Sequence, residues 1–104
     1  MGNNLMRFRR NQLRGMDCIE IAGPFDVNDT NIDGAILDII DEGKKNVIFD
    51  LSKTSYVTSP GLAVLIKAIK RFQTVTGTIY VHGATRDVIE YLKLSRIDGF
   101  LRFM

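Results

Sequence analysis

Cysteine and histidine are almost absent from this chain of 104 residues, with Cys18 and His82 the single examples. One thiol permits neither an intrachain disulfide nor a thiolate metal cluster, which fits a reducing compartment. His82 has no second histidine or cysteine at ligand spacing, so we expect a structural residue rather than a metal ligand. Neither G-x-x-x-x-G-K-[ST] nor G-x-G-x-x-G occurs. We therefore expect no metal and no cofactor.

Long apolar runs are also missing, since none approaches the roughly 20 residues of a membrane-spanning helix. The opening residues 1–6 lack the apolar block of a secretory signal, and Met6 stands where a myristoylation motif requires Ser or Thr. These absences predict a cytoplasmic protein without membrane insertion.

An excess of charge of one sign is missing as well, because the formal net charge is only +2. Although Arg7, Arg9, Arg10 and Arg14 lie close together, this balance does not favour a nucleic-acid partner. We interpret Arg7 and Arg9 as the solvated face of an edge strand, with a basic patch that steers an acidic partner as the alternative.

Forty-five per cent of the residues are hydrophobic and 25% are charged, which is typical of a globular protein, and the length predicts one domain over 1–104. Apolar periodicity and turn residues predict alternating strands and helices. The expected order is strands over 5–12 and 16–22, a helix ending near Gly43, a strand over 46–51, a helix from Pro60 to about Val75, a strand over 78–82, a helix capped by Thr85 and ending near Leu94, and a short closing strand within 100–103.

These elements predict an α/β fold with a mixed sheet of four to five strands, an opening hairpin, and three to four helices mainly on one side. Candidate N-caps of the first helix are Asn28, Asp29 and Thr30, with Asp33 completing a capping-box-like spacing from Thr30. We expect Gly77 to end the second helix.

The junction before the second helix is the most informative segment. Ser59 is a favoured N-cap residue, Pro60 suits the first helical position, and Gly61 leaves the backbone open to a partner. A serine at this position is either an N-cap alone or a functional hydroxyl at the positive end of the helix dipole. We expect Lys67, Lys70 and Arg71 to form a solvated face of the helix.

The segments Val47-Ile48-Phe49-Asp50-Leu51-Ser52 and Ser59-Pro60-Gly61-Leu62-Ala63-Val64-Leu65 resemble the apolar strand, Asp-Leu-Ser and Asp-Ser-Ser/Thr-Gly-Leu segments of the STAS domain. Within that family the chain is similar to the stand-alone anti-sigma factor antagonists of bacteria. Weaker likenesses are Gly23-Pro24-Phe25-Asp26, which resembles Gly-x-Leu-Asp, and residues 92–100, which resemble the closing helix and turn.

The resemblance implies partner switching with an anti-sigma factor that is a serine kinase of the histidine-kinase-like ATPase type. That kinase phosphorylates the serine, here Ser59, and a serine phosphatase reverses the modification. The residues that the resemblance, together with their place at the helix start, assigns to the partner surface are Asp26, Thr58, Ser59, Pro60, Gly61, Ala63, Val64 and Lys67.

The sequence departs from the family pattern at Thr58, where the family usually has Asp, and at Pro60, which replaces a small hydroxyl residue. Thr58 is therefore a second, less favoured acceptor. An alternative function is that of a constitutive STAS subunit of a transporter or signalling complex without a phosphoryl switch. Asp26 and Asp50 lack a recognisable nucleophile motif, so we expect no enzyme. A homodimer through an exposed edge strand stays open.

Overall fold

The computed structural model describes residues 5–27 and 30–104. Its elements are β1 (Arg7–Leu13), β2 (Met16–Phe25), α1 (Thr30–Asp41), β3 (Asn46–Val57), α2 (Ser59–Gln73), β4 (Thr78–His82), α3 (Arg86–Leu94), a short 3₁₀ turn (Asp98–Phe100) and β5 (Leu101–Phe103). No helix within these described ranges has the length and apolar character needed to cross a bilayer.

The five strands form one mixed sheet in the order β1-β2-β3-β4-β5. The β1–β2 pair is an antiparallel hairpin, and all the other neighbours are parallel. The helices α1, α2 and α3 connect successive parallel strands, and each connection leads to the next strand in the same direction across the sheet. Because such crossovers are right-handed, all three helices lie on one face of the sheet. The predicted mixed sheet with an opening hairpin is confirmed, and the five strands and three α-helices of the described residues fall within the predicted numbers.

The core lies between that sheet face and the helices. Alternate strand residues such as Ile19, Phe49 and Val81 share one buried cluster with residues from all three helices. The neighbouring residues Cys18 and Ile48 are buried but lie outside this cluster, since adjacent strand residues point to opposite faces. Burial raises the pKa of the Cys18 thiol to about 11, so this cysteine is not a nucleophile at neutral pH.

Two strands are longer than predicted. β3 continues beyond Leu51 to Val57, and β2 continues through Gly23 to Phe25, where Phe25 pairs with Val57. The register shifts between Gly23 and Phe25, and Gly23 has a φ of 83°. A bulge of this kind interrupts the alternation of buried and exposed residues along a strand. The alternation of apolar residues in the sequence therefore predicted too early an end for β2.

Helix ends account for two further corrections. Asn28 and Asp29 lie outside the described residues, while Thr30 is already helical and Asp33 bonds to Arg71 instead of completing a capping box. α2 ends at Gln73 rather than at Gly77. A Cβ at Gly77 would overlap the Lys45 carbonyl oxygen, so this glycine permits close packing between segments.

Candidate functional site

The candidate site is the junction where β3 turns into α2, at the carboxyl end of the parallel strands. The Thr58 N–H donates to the Phe25 carbonyl at 3.1 Å, and the Leu62 N–H donates to the Thr58 carbonyl at 2.8 Å. The first bond connects the start of α2 to the last residue of β2, and the second is the first i to i−4 bond of the helix. The carboxyl end of β2 therefore lies beside the first turn of α2.

Thr58, and not Ser59, is the N-cap residue of α2. Its backbone is extended, with φ of −117° and ψ of −179°, but its side chain accepts no capping hydrogen bond. Ser59 and Pro60 are the first two helical residues, so Pro60 removes the second N–H that a cap would use. The Thr58 Oγ1 is buried and has no hydrogen-bond partner among the described residues.

Ser59 is exposed at the first helical position. Its hydroxyl makes no hydrogen bond within the described part of the chain. The first N–H groups of a helix lack intrahelical partners, and the helix dipole favours negative charge there. No acidic residue occupies the first turn of α2. This position therefore offers an exposed hydroxyl in surroundings that tolerate an added anion.

Gly61 is the residue that lets α2 approach β2 so closely. It is buried, and a Cβ in its place would overlap the Phe25 carbonyl oxygen and lie 2.9 Å from the Phe25 ring. Asp26, which directly follows Phe25, is half-buried, and the next residue, Val27, is 48% exposed. The structure thus brings Asp26 to the same junction as Thr58 and Ser59.

The other residues predicted to contact a partner are distributed unevenly around α2. Pro60 and Ala63 are exposed beside Ser59. Val64 is only 3% exposed and belongs to the core, so it supports the helix from inside and offers almost no surface to a partner. Lys67 is exposed, with its Nζ 3.5 Å from Asp33 Oδ2.

Asp33 joins α1 to α2 below this surface. Arg71 donates from Nε to Asp33 Oδ1 at 3.1 Å and from Nη2 to Oδ2 at 2.9 Å. These hydrogen bonds, together with the charge of Lys67, hold the pKa of the Asp33 carboxyl below its usual range. Lys67 and Lys70 are exposed, as expected for a solvated face, whereas Arg71 is half-buried and its two hydrogen bonds to Asp33 connect α2 to α1.

Neither a metal centre nor a reactive pair forms among the described residues. They contain no group of three or more His, Cys, Asp or Glu side chains that could hold a metal ion. Asp50 accepts from the Ser52 N–H at 3.0 Å and from the Ser52 hydroxyl at 2.6 Å. The imidazole of His82 has a buried Nδ1 without a hydrogen-bond partner within the described ranges.

Sequence reasoning missed a cleft beside this junction. Its volume is about 220 Å³, and it is lined by Tyr56, Val57, Asp87, Val88 and Tyr91. The end of β3 forms one wall, and that strand was expected to stop at Leu51. The buried residues Leu51, Thr54 and Val57 are spaced by three instead of two, so the alternation typical of a strand gave no signal for this extension.

Comparison with known families and structures adds independent evidence on the fold. A family model described as the STAS domain matches residues 9–104. No curated protein sequence matches the chain significantly.

Three solved structures illustrate the similarity. An anti-sigma factor antagonist from Mycobacterium paratuberculosis shares 15% identity with a TM-score of 0.75, covering 98% of this chain and 87% of that one. The anti-sigma factor antagonist SpoIIAA in its unphosphorylated form shares 17% identity with a TM-score of 0.72, covering 94% and 87%. Bacillus SpoIIAA in its phosphorylated form shares 16% identity with a TM-score of 0.71, covering 94% and 91%. At these identities the likeness establishes a shared fold.

Proposed function

This chain belongs to the STAS domain family, and from that premise we propose that it is a regulatory protein-binding module that acts as an anti-sigma factor antagonist. Its partner is an anti-sigma factor that is also a serine kinase of the histidine-kinase-like ATPase type. Phosphorylation of Ser59 ends the complex, and a serine phosphatase restores it. The protein works in the cytoplasm by binding and not by catalysis.

The exposed Ser59 hydroxyl carries this proposal. It is exposed, it is not used as a cap, and it makes no hydrogen bond to a described residue. A serine that served only as an N-cap would be expected to accept a hydrogen bond from a backbone N–H of the first helical turn. Ser59 is therefore available to a kinase without any rearrangement of the helix.

The position of Ser59 explains how a phosphoryl group changes binding and not folding. Phosphorylation adds about −1.5 to −2 charges and three acceptor oxygens. The start of α2 tolerates this charge, because the helix dipole is positive there and the first turn contains no acid. A partner packed over Ser59 would have to desolvate the same charge, so its complex is destabilised.

The partner surface consists of the exposed and half-buried residues around Ser59. We assign to it Asp26, Thr58, Ser59, Pro60, Ala63 and Lys67, while Gly61 acts by bringing α2 against Phe25. Thr58 is the alternative phosphate acceptor, but its Oγ1 is buried, whereas Ser59 is exposed.

Thr58 also favours a second function, that of a constitutive STAS subunit in a transporter or signalling complex. An uncharged hydroxyl stands where the family usually has Asp, and this hydroxyl is buried, so it cannot replace a carboxylate that orients a kinase-bound metal. In that case the same surface binds a partner regardless of the state of Ser59.

Parallel affinity capture with wild-type, Ser59→Ala and Ser59→Asp baits distinguishes the two functions. We expect wild type and Ser59→Ala to retain a serine-kinase-like ATPase and Ser59→Asp to lose it. Gln73→Glu is the matched control, since it adds one negative charge at the far, exposed end of α2 and should retain the partner. If Ser59→Asp retains the same partner as wild type, the switch is wrong and the constitutive function stands.

Incubation of the captured ATPase with ATP tests the acceptor directly. We expect mass spectrometry to show one added phosphoryl group on wild type and on Thr58→Val, and none on Ser59→Ala. Modification of Ser59→Ala that is lost in Thr58→Val would instead assign the acceptor to Thr58.

A further inference from the structure

The cleft beside the Ser59 junction exists because β3 extends beyond the end of the neighbouring strand β4. The last β3–β4 pair is Asp50 with His82, so residues 51–57 of β3 have no partner on the β4 side. α3 packs against β3. Between Tyr56 and Val57 of β3 and Asp87, Val88 and Tyr91 of α3 lies the cavity of about 220 Å³.

The lining of this cleft suits an apolar side chain. Val57 and Val88 are 8% and 1% exposed and form its floor, while Tyr56 is 52% exposed and Tyr91 is half-buried. Pockets for small molecules usually have volumes of roughly 300–1,000 Å³ and several convergent polar groups. The smaller and mostly apolar cleft corresponds better to one side chain, and tyrosines are enriched where such anchors bind.

Charge at the rim specifies the occupant further. Asp87 is the one charged residue that lines the cleft; it is exposed and forms no ion pair with any described residue. Its neighbour Arg86 forms an exposed pair with Glu90 at 3.5 Å and none with Asp87. An exposed carboxylate beside an apolar cavity is complementary to an apolar side chain flanked by Lys or Arg.

The cleft also lies within reach of the Ser59 surface. Tyr56 precedes Ser59 by three residues, a span of at most about 10 Å in an extended chain. A standard interface covers about 800 Å² on each partner, equivalent to a disc of about 16 Å radius. A partner centred on Ser59 therefore extends over the cleft.

We propose that this cleft, named here the Tyr56 cleft, is an anchoring site for the same partner that covers Ser59. It accepts an apolar side chain next to a Lys or Arg of that partner. This inference rests on the proposed function, and it separates two tasks. The Tyr56 cleft supplies affinity, and Ser59 supplies the switch.

The test is a binding titration with the purified ATPase that the wild-type bait captures. We expect Tyr56→Ala and Asp87→Lys each to weaken binding about tenfold or more, because truncating an anchor or reversing a complementary charge has effects of this size. Tyr56→Phe should bind within about twofold of wild type, since it keeps the aromatic body. Circular dichroism of each variant verifies folding.

Two controls match these variants near the opposite end of the parallel strands, where β3 and β5 begin. Phe100→Ala removes an aromatic side chain that is 56% exposed, and Asp41→Lys reverses an exposed carboxylate of α1. Both should bind within about twofold of wild type. If Tyr56→Ala and Asp87→Lys bind like these controls while Ser59→Asp does not bind, the Tyr56 cleft is refuted and the proposed function stands. Failure of wild type to bind any such ATPase overturns both.

Discussion

Thr58 and Thr85 each stand one residue before a helix, yet only one of them caps it. The Thr85 hydroxyl accepts from the Val88 N–H at 3.3 Å. The Thr58 hydroxyl accepts nothing from α2 and has no partner among the described residues. A buried hydroxyl without a partner is destabilising, whereas a capping hydroxyl stabilises its helix.

Replacing each threonine by valine should therefore have opposite effects. We expect Thr58→Val to raise the free energy of unfolding by about 1 kcal/mol, because it removes an unsatisfied buried group. Thr85→Val should lower it by about 1 kcal/mol through loss of the cap. Urea denaturation measures both. A loss of stability in Thr58→Val equal to that in Thr85→Val would show that the Thr58 hydroxyl does have a partner.

At the scale of elements, the contact between α2 and β2 depends on Gly61. We expect Gly61→Ala to destabilise the protein by about 1–3 kcal/mol, since the added methyl group overlaps the Phe25 carbonyl. Gly34→Ala in α1 is the matched control. Nothing lies within 4 Å of a Cβ at Gly34, so this change should stabilise by about 0.5–1 kcal/mol through helix propensity. Equal effects of the two substitutions would contradict the close packing of α2 on β2.

Elements with regular periodicity were the ones that the sequence predicted well. β4 has the predicted bounds, and α3 begins after its predicted cap Thr85, because local pattern and tertiary packing agree there. The continuation of β3 was not predictable in this way. Its polar residues Lys53 and Thr54 pair with Ala22 and Gly23 across a shifted register, which depends on a bulge in a distant strand.

The candidate site was likewise predictable only in part. Its position at the start of α2 followed from the strand, Pro60 and the helical pattern, whereas the identity of the N-cap did not. Ser59 and Thr58 have similar capping preferences, so propensity alone cannot choose between them. The choice is made by β3, which continues to Val57 and leaves Thr58 in the extended conformation of a cap.

For the whole molecule, ion pairs connect elements that are distant in sequence. Arg10 of β1 donates to Asp17 of β2 at 2.8 Å and to Glu42 after α1 at 2.7 Å. Lys44 lies 2.8 Å from Asp17 as well. Burial raises the pKa of the Asp17 carboxyl, but hydrogen bonds from Lys44 and Arg10 outweigh it and place that pKa below its usual range.

These carboxylates predict how stability depends on pH. The hydrogen bond from Arg10 lowers the pKa of Glu42, and that from Arg71 lowers the pKa of Asp33, in the same direction as for Asp17. A carboxyl with a lowered pKa in the folded state binds fewer protons there than in the unfolded state. Its stabilising contribution is complete above the unfolded pKa of about 4 and is lost as the pH falls through the folded value.

We therefore expect the melting temperature to change little between pH 7 and 5 and to fall between pH 5 and 3. In the double variant Asp17→Asn, Asp33→Asn this fall should be smaller, because two of the groups that cause it no longer titrate. The control pair Asp38→Asn, Asp41→Asn removes two exposed carboxylates of α1 that form no ion pair with any described residue. Its fall should be at least as large as that of wild type. If the melting temperatures of both double variants fall as far as that of wild type on acidification, the ion pairs of Asp17 and Asp33 do not link these elements in solution.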